Sequence, residues 1–319
     1  TPTCIPARRE LMTGAAAATH GDRIFHETLP MDPRLKTLPQ AFRDAGYQAG
    51  AVGKLHVYPQ RDRIGFDEAL INEEGRHHLG MGIDDYELFL KHEGYAGQEL
   101  THAVGNNTYN ARPWHLPEYC HPTNWTVRTM CRMIQRRDPT RPGFWYCSFN
   151  APHPPPVPPR DYLDLYRDIG VDDPLIGEWA GDFDALPYAL KSHTAKVPQP
   201  PTPEAVRLAR MAFYAQCTYI DHQMRLLIGT LREEGLLEDT VIAFTGDHGD
   251  MLGHHHMWAK PPMFEYSVRV PLIVVPTAEY TRMGHHRSDD RLVQLRDIMP
   301  TLLDLCGLSV PDTVEGLSL

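Results

Sequence analysis

No apolar run in the 319-residue sequence approaches the roughly 20 residues that a membrane-spanning helix needs. No C-x-x-C pair occurs either. The six cysteines (Cys4, Cys120, Cys131, Cys147, Cys217 and Cys306) are scattered, which argues against a zinc site of that kind and against a dense disulfide framework. A basic excess is also lacking: 31 Lys and Arg face 41 Asp and Glu, a formal net charge of −10, so a general nucleic-acid binder is not expected. No internal repeat is present. No signal peptide is visible, an absence without weight because Thr1 reads as lying inside a domain. The sequence is instead rich in histidine (18) and proline (29), and its 42% hydrophobic content is enough for a sizeable core.

Apolar periodicity predicts the elements. Pro33 to Tyr47 reads as a helix, with Leu35, Leu38, Phe42 and Ala45 on one face and Gly46 at its end. Ala49 to Val52 follows as a buried strand ending at Gly53-Lys54. About ninety irregular residues come next. Phe144 to Phe149 reads as a strand ending at Asn150-Ala151-Pro152-His153. Thirteen of the 29 prolines then fall between Pro142 and Pro203, which predicts mostly loop. Glu204 to Glu234 is the longest helical signal, with Ile220, Met224, Leu227, Ile228 and Leu231 as its stripe. Val241 to Thr245 and Val270 to Val275 read as buried strands, and Asp297 to Leu305 as a short helix with Ile298, Leu302 and Leu305 inward. This order predicts an α/β fold, a mainly parallel central sheet with helices on both faces. In such sheets ligands bind beyond the carboxyl ends of the strands. Lys54 with His56, His153, and Asp247 with His248 all fall there.

The opening segment Cys4-Ile5-Pro6-Ala7-Arg8 places a thiol four residues before an arginine. A helix starting near Pro6 would put Cys4 at its N-terminal end, where negative charge is favoured and a thiol pKa falls. An ordinary buried cysteine ahead of a helix fits the same pattern. Lys54 and Lys260 read equally as solvated lysines, Arg8 as a helix-surface arginine, and Asp247 as the cap of a strand-to-loop turn.

Taken together, these segments resemble the formylglycine-dependent sulfatases. Cys4-Ile5-Pro6-Ala7-Arg8 followed by Thr13-Gly14 resembles that family's C-x-P-x-R…T-G signature, with Ala7 where serine is commoner. Gly46-Tyr47 through Gly53-Lys54-Leu55-His56 resembles its G-Y…G-K-W-H stretch, with Leu55 for tryptophan. Pro152-His153-Pro154-Pro155 and Gly246-Asp247-His248-Gly249-Asp250-Met251-Leu252-Gly253 resemble two further blocks. Trp258-Ala259-Lys260, Arg269-Val270-Pro271-Leu272 and Gly316-Leu317-Ser318-Leu319 continue the match.

The resemblance implies an alkaline phosphatase-like fold and hydrolysis of a sulfate monoester, aryl or sugar. It implies that a formylglycine-generating enzyme oxidises Cys4 to the aldehyde whose hydrate is the nucleophile. Asp247 and His248, with the residue at position 4, would hold a divalent cation, calcium first, with magnesium or manganese as alternatives. Arg8 would hold the nucleophile and its charge. Lys54 and Lys260 would neutralise the sulfate. His153 would protonate the leaving alcohol and His56 would act as base in the release of sulfate; exchange of these roles, or sharing with Lys260, fits equally. A phosphonate monoester or phosphodiester hydrolase of the same superfamily is the alternative. A non-catalytic scaffold would require loss of one of these eight residues, and all are present.

Two features depart from the family pattern. The Asp-Asp strand expected upstream of the cysteine is missing, and Asp84-Asp85, Asp172-Asp173 and Asp289-Asp290 follow no apolar strand. The chain also stops near where a smaller C-terminal subdomain would begin. Residues 1–319 therefore read as one catalytic domain truncated at both ends, expected to bind metal poorly and to leave an exposed apolar edge. Among the other histidines, His254 and His255 read as solvated loop, and His77-His78 and His285-His286 as surface. His121 to Thr126 reads either as a specificity loop or as a helix start. Neither the compartment, cytoplasmic or periplasmic, nor the oligomeric state is written in these residues.

Overall fold

Cys4–Thr13 forms the first helix, α1. Thr3 ahead of it is extended, and Gly14 ends it in the left-handed region, donating its N–H to the Glu10 carbonyl at 2.9 Å. The structure, a computed structural model, describes residues 2–76, 82–100, 104–197, 199–282 and 288–319. His77-His78 and His285-His286 lie outside the described residues. After α1 come α2 (Ala17–His20), α3 (Leu38–Asp44), β1 (Gln48–Gly53), β2 (Glu68–Ile71), α4 (Asp85–His92), α5 (Pro122–Gln135) and β3 (Gly143–Ser148). The second half holds α6 (Arg160–Ile169), α7 (Tyr188–Lys196), α8 (Pro203–Glu233), β4 (Ile242–Thr245), α9 (Glu265–Val268), β5 (Leu272–Val275), α10 (Ala278–Arg282) and α11 (Ile298–Leu305). No helix among the described residues is long and apolar enough to cross a membrane.

β1 lies between β2 and β3, parallel to both, with Ala51 opposite Ala69 and Tyr146. Alternate residues of this sheet feed two cores. Phe144 and Tyr146 face Leu11 and Met12 of α1, Phe42 of α3 and Met299 of α11. Trp145 and Cys147 face Met130 and Ile134 of α5 and Leu231 of α8. Helices thus cover both faces, as expected. Phe42 stacks on Phe144 with ring centroids 4.5 Å apart.

Several expectations are corrected. The sheet is split among the described residues: β4 pairs only with β5, and antiparallel. β5 is not buried; Ile273 is 55% and Val275 46% exposed, because the alternate side chains of a two-stranded ribbon have nothing across from them. The helix foreseen from Pro33 starts at Leu38, capped by the Thr37 hydroxyl accepting from the Gln40 N–H. The proline-rich stretch contains α6 and α7, each directly preceded by a proline (Pro159, Pro187), where a missing N–H costs nothing. The buried face of α11 is Ile298, Met299 and Leu303, one residue off the expected stripe. His121 caps α5, whose first turn buries Asn124, Trp125 and Thr126, so of the two readings of His121 to Thr126 the helix start holds.

A carboxyl cluster underlies the sheet end. Asp84 caps α4 in a capping box with Glu87, and its carboxylate also accepts the Glu73 N–H at 2.6 Å. Burial pushes the Asp84 carboxyl up to about 7, overriding these hydrogen bonds. Its folded pKa therefore lies above its unfolded value near 4. The stability it contributes is fully present below about pH 4 and is lost as pH rises through about 7. Asp84→Asn keeps the cap and removes the titration. Urea unfolding should then show a smaller loss of stability between about pH 5 and about pH 8, by on the order of 2 kcal/mol. An identical loss in both proteins would refute this assignment. Burial pushes the neighbouring Glu73 carboxyl in the same direction.

Candidate active site

Four strand ends deliver the site. Gly53 closes β1 with φ +104°, and a Cβ there would sit 1.8 Å from the Ser148 carbonyl oxygen. Only glycine lets β1 and β3 approach so closely at their ends, where the Lys54 N–H donates to Ser148 O at 3.0 Å. Gly249 acts likewise after β4: a Cβ there would lie 2.0 Å from the Tyr266 carbonyl oxygen, and its N–H donates to Ser267 O at 2.8 Å. These contacts aim Lys54 and His248 at the start of α1.

Cys4 is the first residue of α1 and is buried. Its Sγ lies 3.1 Å from His248 Nε2. Burial alone would push the thiol up; the charges of Lys54 and His248 hold it well below its ordinary value. Arg8, one turn along the helix, ties three strand ends together. It donates to Asp247 Oδ2 at 2.8 Å, to the Lys54 carbonyl at 2.7 Å and to Ser148 Oγ at 2.9 Å. It also donates to the Tyr146 hydroxyl of β3 at 3.3 Å, and though it makes no hydrogen bond to Cys4 among the described residues, the two groups interact through their charges. Burial is the largest influence and works to raise the Asp247 carboxyl, but the charges of Arg8, His248 and Lys54 together hold it at about 2.

Lys54 is only 1% exposed, not solvated, with Nζ 3.1 Å from Glu74 Oε2. An ammonium so placed requires such a partner. Glu74 also takes the Arg76 guanidinium at 2.7 Å and faces His153 Nδ1 at 3.3 Å. Burial would raise its carboxyl, but Lys54 and His153 keep it well below the carboxylate range. Glu73 accepts from the Leu55 and His56 N–H groups, both at 2.8 Å, and so fixes the turn that carries His56 at φ +59°. Burial lowers the His56 pKa to about 4, and its side chain reaches Cys4. His56 is therefore neutral near pH 7.

His153 Nδ1 faces the Pro154 carbonyl at 2.9 Å as well as Glu74, so that nitrogen carries the N–H. Nε2 is left to accept from Lys260 Nζ at 2.8 Å. Lys260 is held by a support that the sequence reading did not find. The buried Tyr109 hydroxyl donates to Asp250 Oδ2 at 2.6 Å and accepts from the Ala259 N–H at 2.8 Å, while Ala259 sits at φ +62°.

Cys4, Asp247 and His248 bring one donor atom each within 4.8 Å of one another, the one such group among the described residues. His248 Nδ1 donates to the Gly249 carbonyl at 2.7 Å, which turns Nε2 to Cys4 and Asp247; burial opposes a charge there, but Asp247 and Cys4 push the imidazole pKa up, so a bound cation would take the place of the Nε2 proton. A carboxylate beside an imidazole oriented by a backbone carbonyl fits one face of a divalent cation.

His254 and His255, expected in a solvated loop, are tied down instead. Their Nδ1 atoms accept from the Leu175 and Gly177 N–H groups, both at 3.0 Å, and His254 stacks on Tyr266 at 3.7 Å. They pin the 174–179 loop, a pairing across nearly eighty residues that no local pattern announces. Glu73 and Glu74 escaped the sequence reading because β2, only four residues long, was not recognised. The rule that located the other strand ends would have pointed to Asn72-Glu73-Glu74 as well.

Fold and site define a class: α/β proteins with a nucleophile-type side chain and a cation-lined, anion-accepting pocket at the carboxyl ends of the strands. The chain belongs to the sulfatase family of the alkaline phosphatase-like superfamily, whose family model, "Sulfatase", matches residues 1–308. It is 35% identical to an arylsulfatase of Clostridium perfringens, over all of this chain and 68% of that protein. It is 29% identical to a choline-sulfatase of Rhizobium meliloti, over all of this chain and 62% of that protein. The phosphonate monoester hydrolase of Silicibacter pomeroyi shares the fold at TM-score 0.79 and 23% identity, over 99% of this chain and 66% of that one. The chain spans about three-fifths to two-thirds of the length of these curated relatives.

Proposed function

We propose that the protein hydrolyses a sulfate monoester, with Cys4 as the residue converted to formylglycine by a formylglycine-generating enzyme. One observation supports this most directly: a buried Cys4 at which His248, His56 and the charge of Lys54 converge. Once Cys4 is converted, the hydrate of its aldehyde would supply the nucleophile, and a divalent cation, calcium first, would supply Lewis acidity toward the sulfate. Asp247 and His248, together with position 4, would hold that cation. Lys54, locked by Glu74, offsets the charge of the ester. The His153–Lys260 pair delivers the proton to the departing alcohol, and neutral His56 takes one from the nucleophile's side.

The test uses the full-length protein produced together with a formylglycine-generating enzyme. A nitrophenyl sulfate should be cleaved faster than the matching phosphonate ester. The reverse order would assign the protein to phosphonate monoester or phosphodiester hydrolysis. Asp247→Asn and His248→Ala should lower bound metal and rate together, by roughly 10- to 100-fold or more, read by elemental analysis alongside the assay. Survival of both properties in both variants would remove these residues from the metal site.

A further inference from the structure

The loop 22–30 leads away from α2, and one of its side chains turns inward. Arg23, Ile24 and His26 are exposed, Ile24 by 79%, whereas Phe25 among them is half-buried. Its ring meets the imidazole of His56 edge to face, with centroids 5.9 Å apart and planes at 77°.

The loop is tied to the helix that starts at Cys4. Arg9, the neighbour of Arg8, is 4% exposed and donates to the Leu29 carbonyl and, at 3.0 Å, to the Pro30 carbonyl. Its Nε faces the carboxylate of the fully buried Asp22 at 3.8 Å, and Asp22 in turn accepts the His26 N–H at 3.3 Å. A guanidinium forked between two carbonyls fixes direction as well as distance. The chain is thus held on both sides of Phe25.

His56 needs such a neighbour. Glu73 fixes its backbone by accepting the Leu55 and His56 N–H groups. Its ring has no bond of that kind: Nδ1 is buried without a hydrogen-bond partner among the described residues, while the side chain reaches Cys4. A proton-transferring imidazole is ordinarily aimed by the bond that its other nitrogen makes. His153 has that bond at the Pro154 carbonyl, and His248 at the Gly249 carbonyl. His56 has a ring edge instead. A contact of this geometry is directional and biases orientation by about 2- to 13-fold.

We propose that Phe25 is a positioning residue for His56 and that Arg9 holds it in place from α1. The inference rests on His56 acting in the reaction, as proposed above. One helix then carries the nucleophile at position 4, the clamp on the strand ends at position 8 and, at position 9, the anchor of the loop that aims the base.

The experiment measures kcat and KM of the full-length, formylglycine-bearing protein on a nitrophenyl sulfate and on a sugar sulfate. Phe25→Ala should lower kcat about three- to tenfold and change KM by less than about twofold. The loss should follow that of His56→Ala in milder form. It should be at least as large for the nitrophenyl sulfate as for the sugar sulfate, the reverse of the order expected of His153→Ala. Phe25→Tyr keeps the ring and should restore kcat to within about twofold. Phe25→Leu, an apolar cover without the ring, is the second truncation should Phe25→Ala fold poorly. Arg9→Lys keeps the charge beside Asp22 but cannot fork to two carbonyls; it should lower kcat in the same order and add little to Phe25→Ala in the double variant. An unchanged kcat, a loss confined to KM, or a leaving-group order unlike that of His56→Ala would overturn the proposal. Cleavage of a nitrophenyl phosphonate ester but not of the sulfate would overturn the sulfatase reading alone, and the same comparison on phosphonate esters of two leaving groups would then decide for or against Phe25. Turnover of neither ester would overturn both.

Discussion

Cys4→Ala in the full-length protein is expected to abolish turnover, by at least about 10⁴-fold, with the fold retained. The size follows from the chemistry. A group that attacks the ester and is then regenerated has no substitute among its neighbours, and removing a covalent nucleophile costs enzymes losses of this order. The fold should survive because Cys4 contributes one small buried side chain at the start of α1, a loss of roughly 1 kcal/mol. The Arg8 bonds that join the strand ends come from the next turn and stay in place. In the unaltered protein, peptide mass spectra should show the position 4 residue as an aldehyde. Full activity from a preparation carrying only the thiol would refute the assignment of Cys4.

The second large effect separates the proton donors by their dependence on the leaving group. His153→Ala should slow hydrolysis of a sugar sulfate by roughly 10²–10⁴-fold, because a poor leaving alcohol must be protonated as it departs. An activated nitrophenyl sulfate needs little protonation, so its loss should be roughly tenfold or less. Lys260→Ala should show the same dependence, since Lys260 Nζ and His153 Nε2 share a hydrogen bond of 2.8 Å. His56 sits on the Cys4 side and is neutral. His56→Ala should instead release one alcohol per active site in a burst and then stall. Equal sensitivity of the three variants to the leaving group, with no burst in any, would dismiss this division of labour.

How far the local sequence reached is visible residue by residue. β1, β3, β4 and α8 were legible because apolar periodicity and end signals act within a few residues. The clustering of Lys54, His56, His153, Asp247 and His248 followed from one rule about strand ends. Tertiary structure decided the rest. Lys54 could be solvated or buried on its sequence alone; Glu74, twenty residues away at the end of an unrecognised strand, decides for burial. Arg8 looked like a surface residue or a nucleophile's partner, and the folded chain turns it to Asp247, 239 positions later in the chain. The antiparallel pairing of β4 with β5 and the pinning of Lys260 through Tyr109 and Asp250 lie beyond any local pattern for the same reason. A helix or strand is specified by neighbours in sequence, whereas the charge state and orientation of a buried ionisable group are set by whichever distant groups folding brings into contact with it.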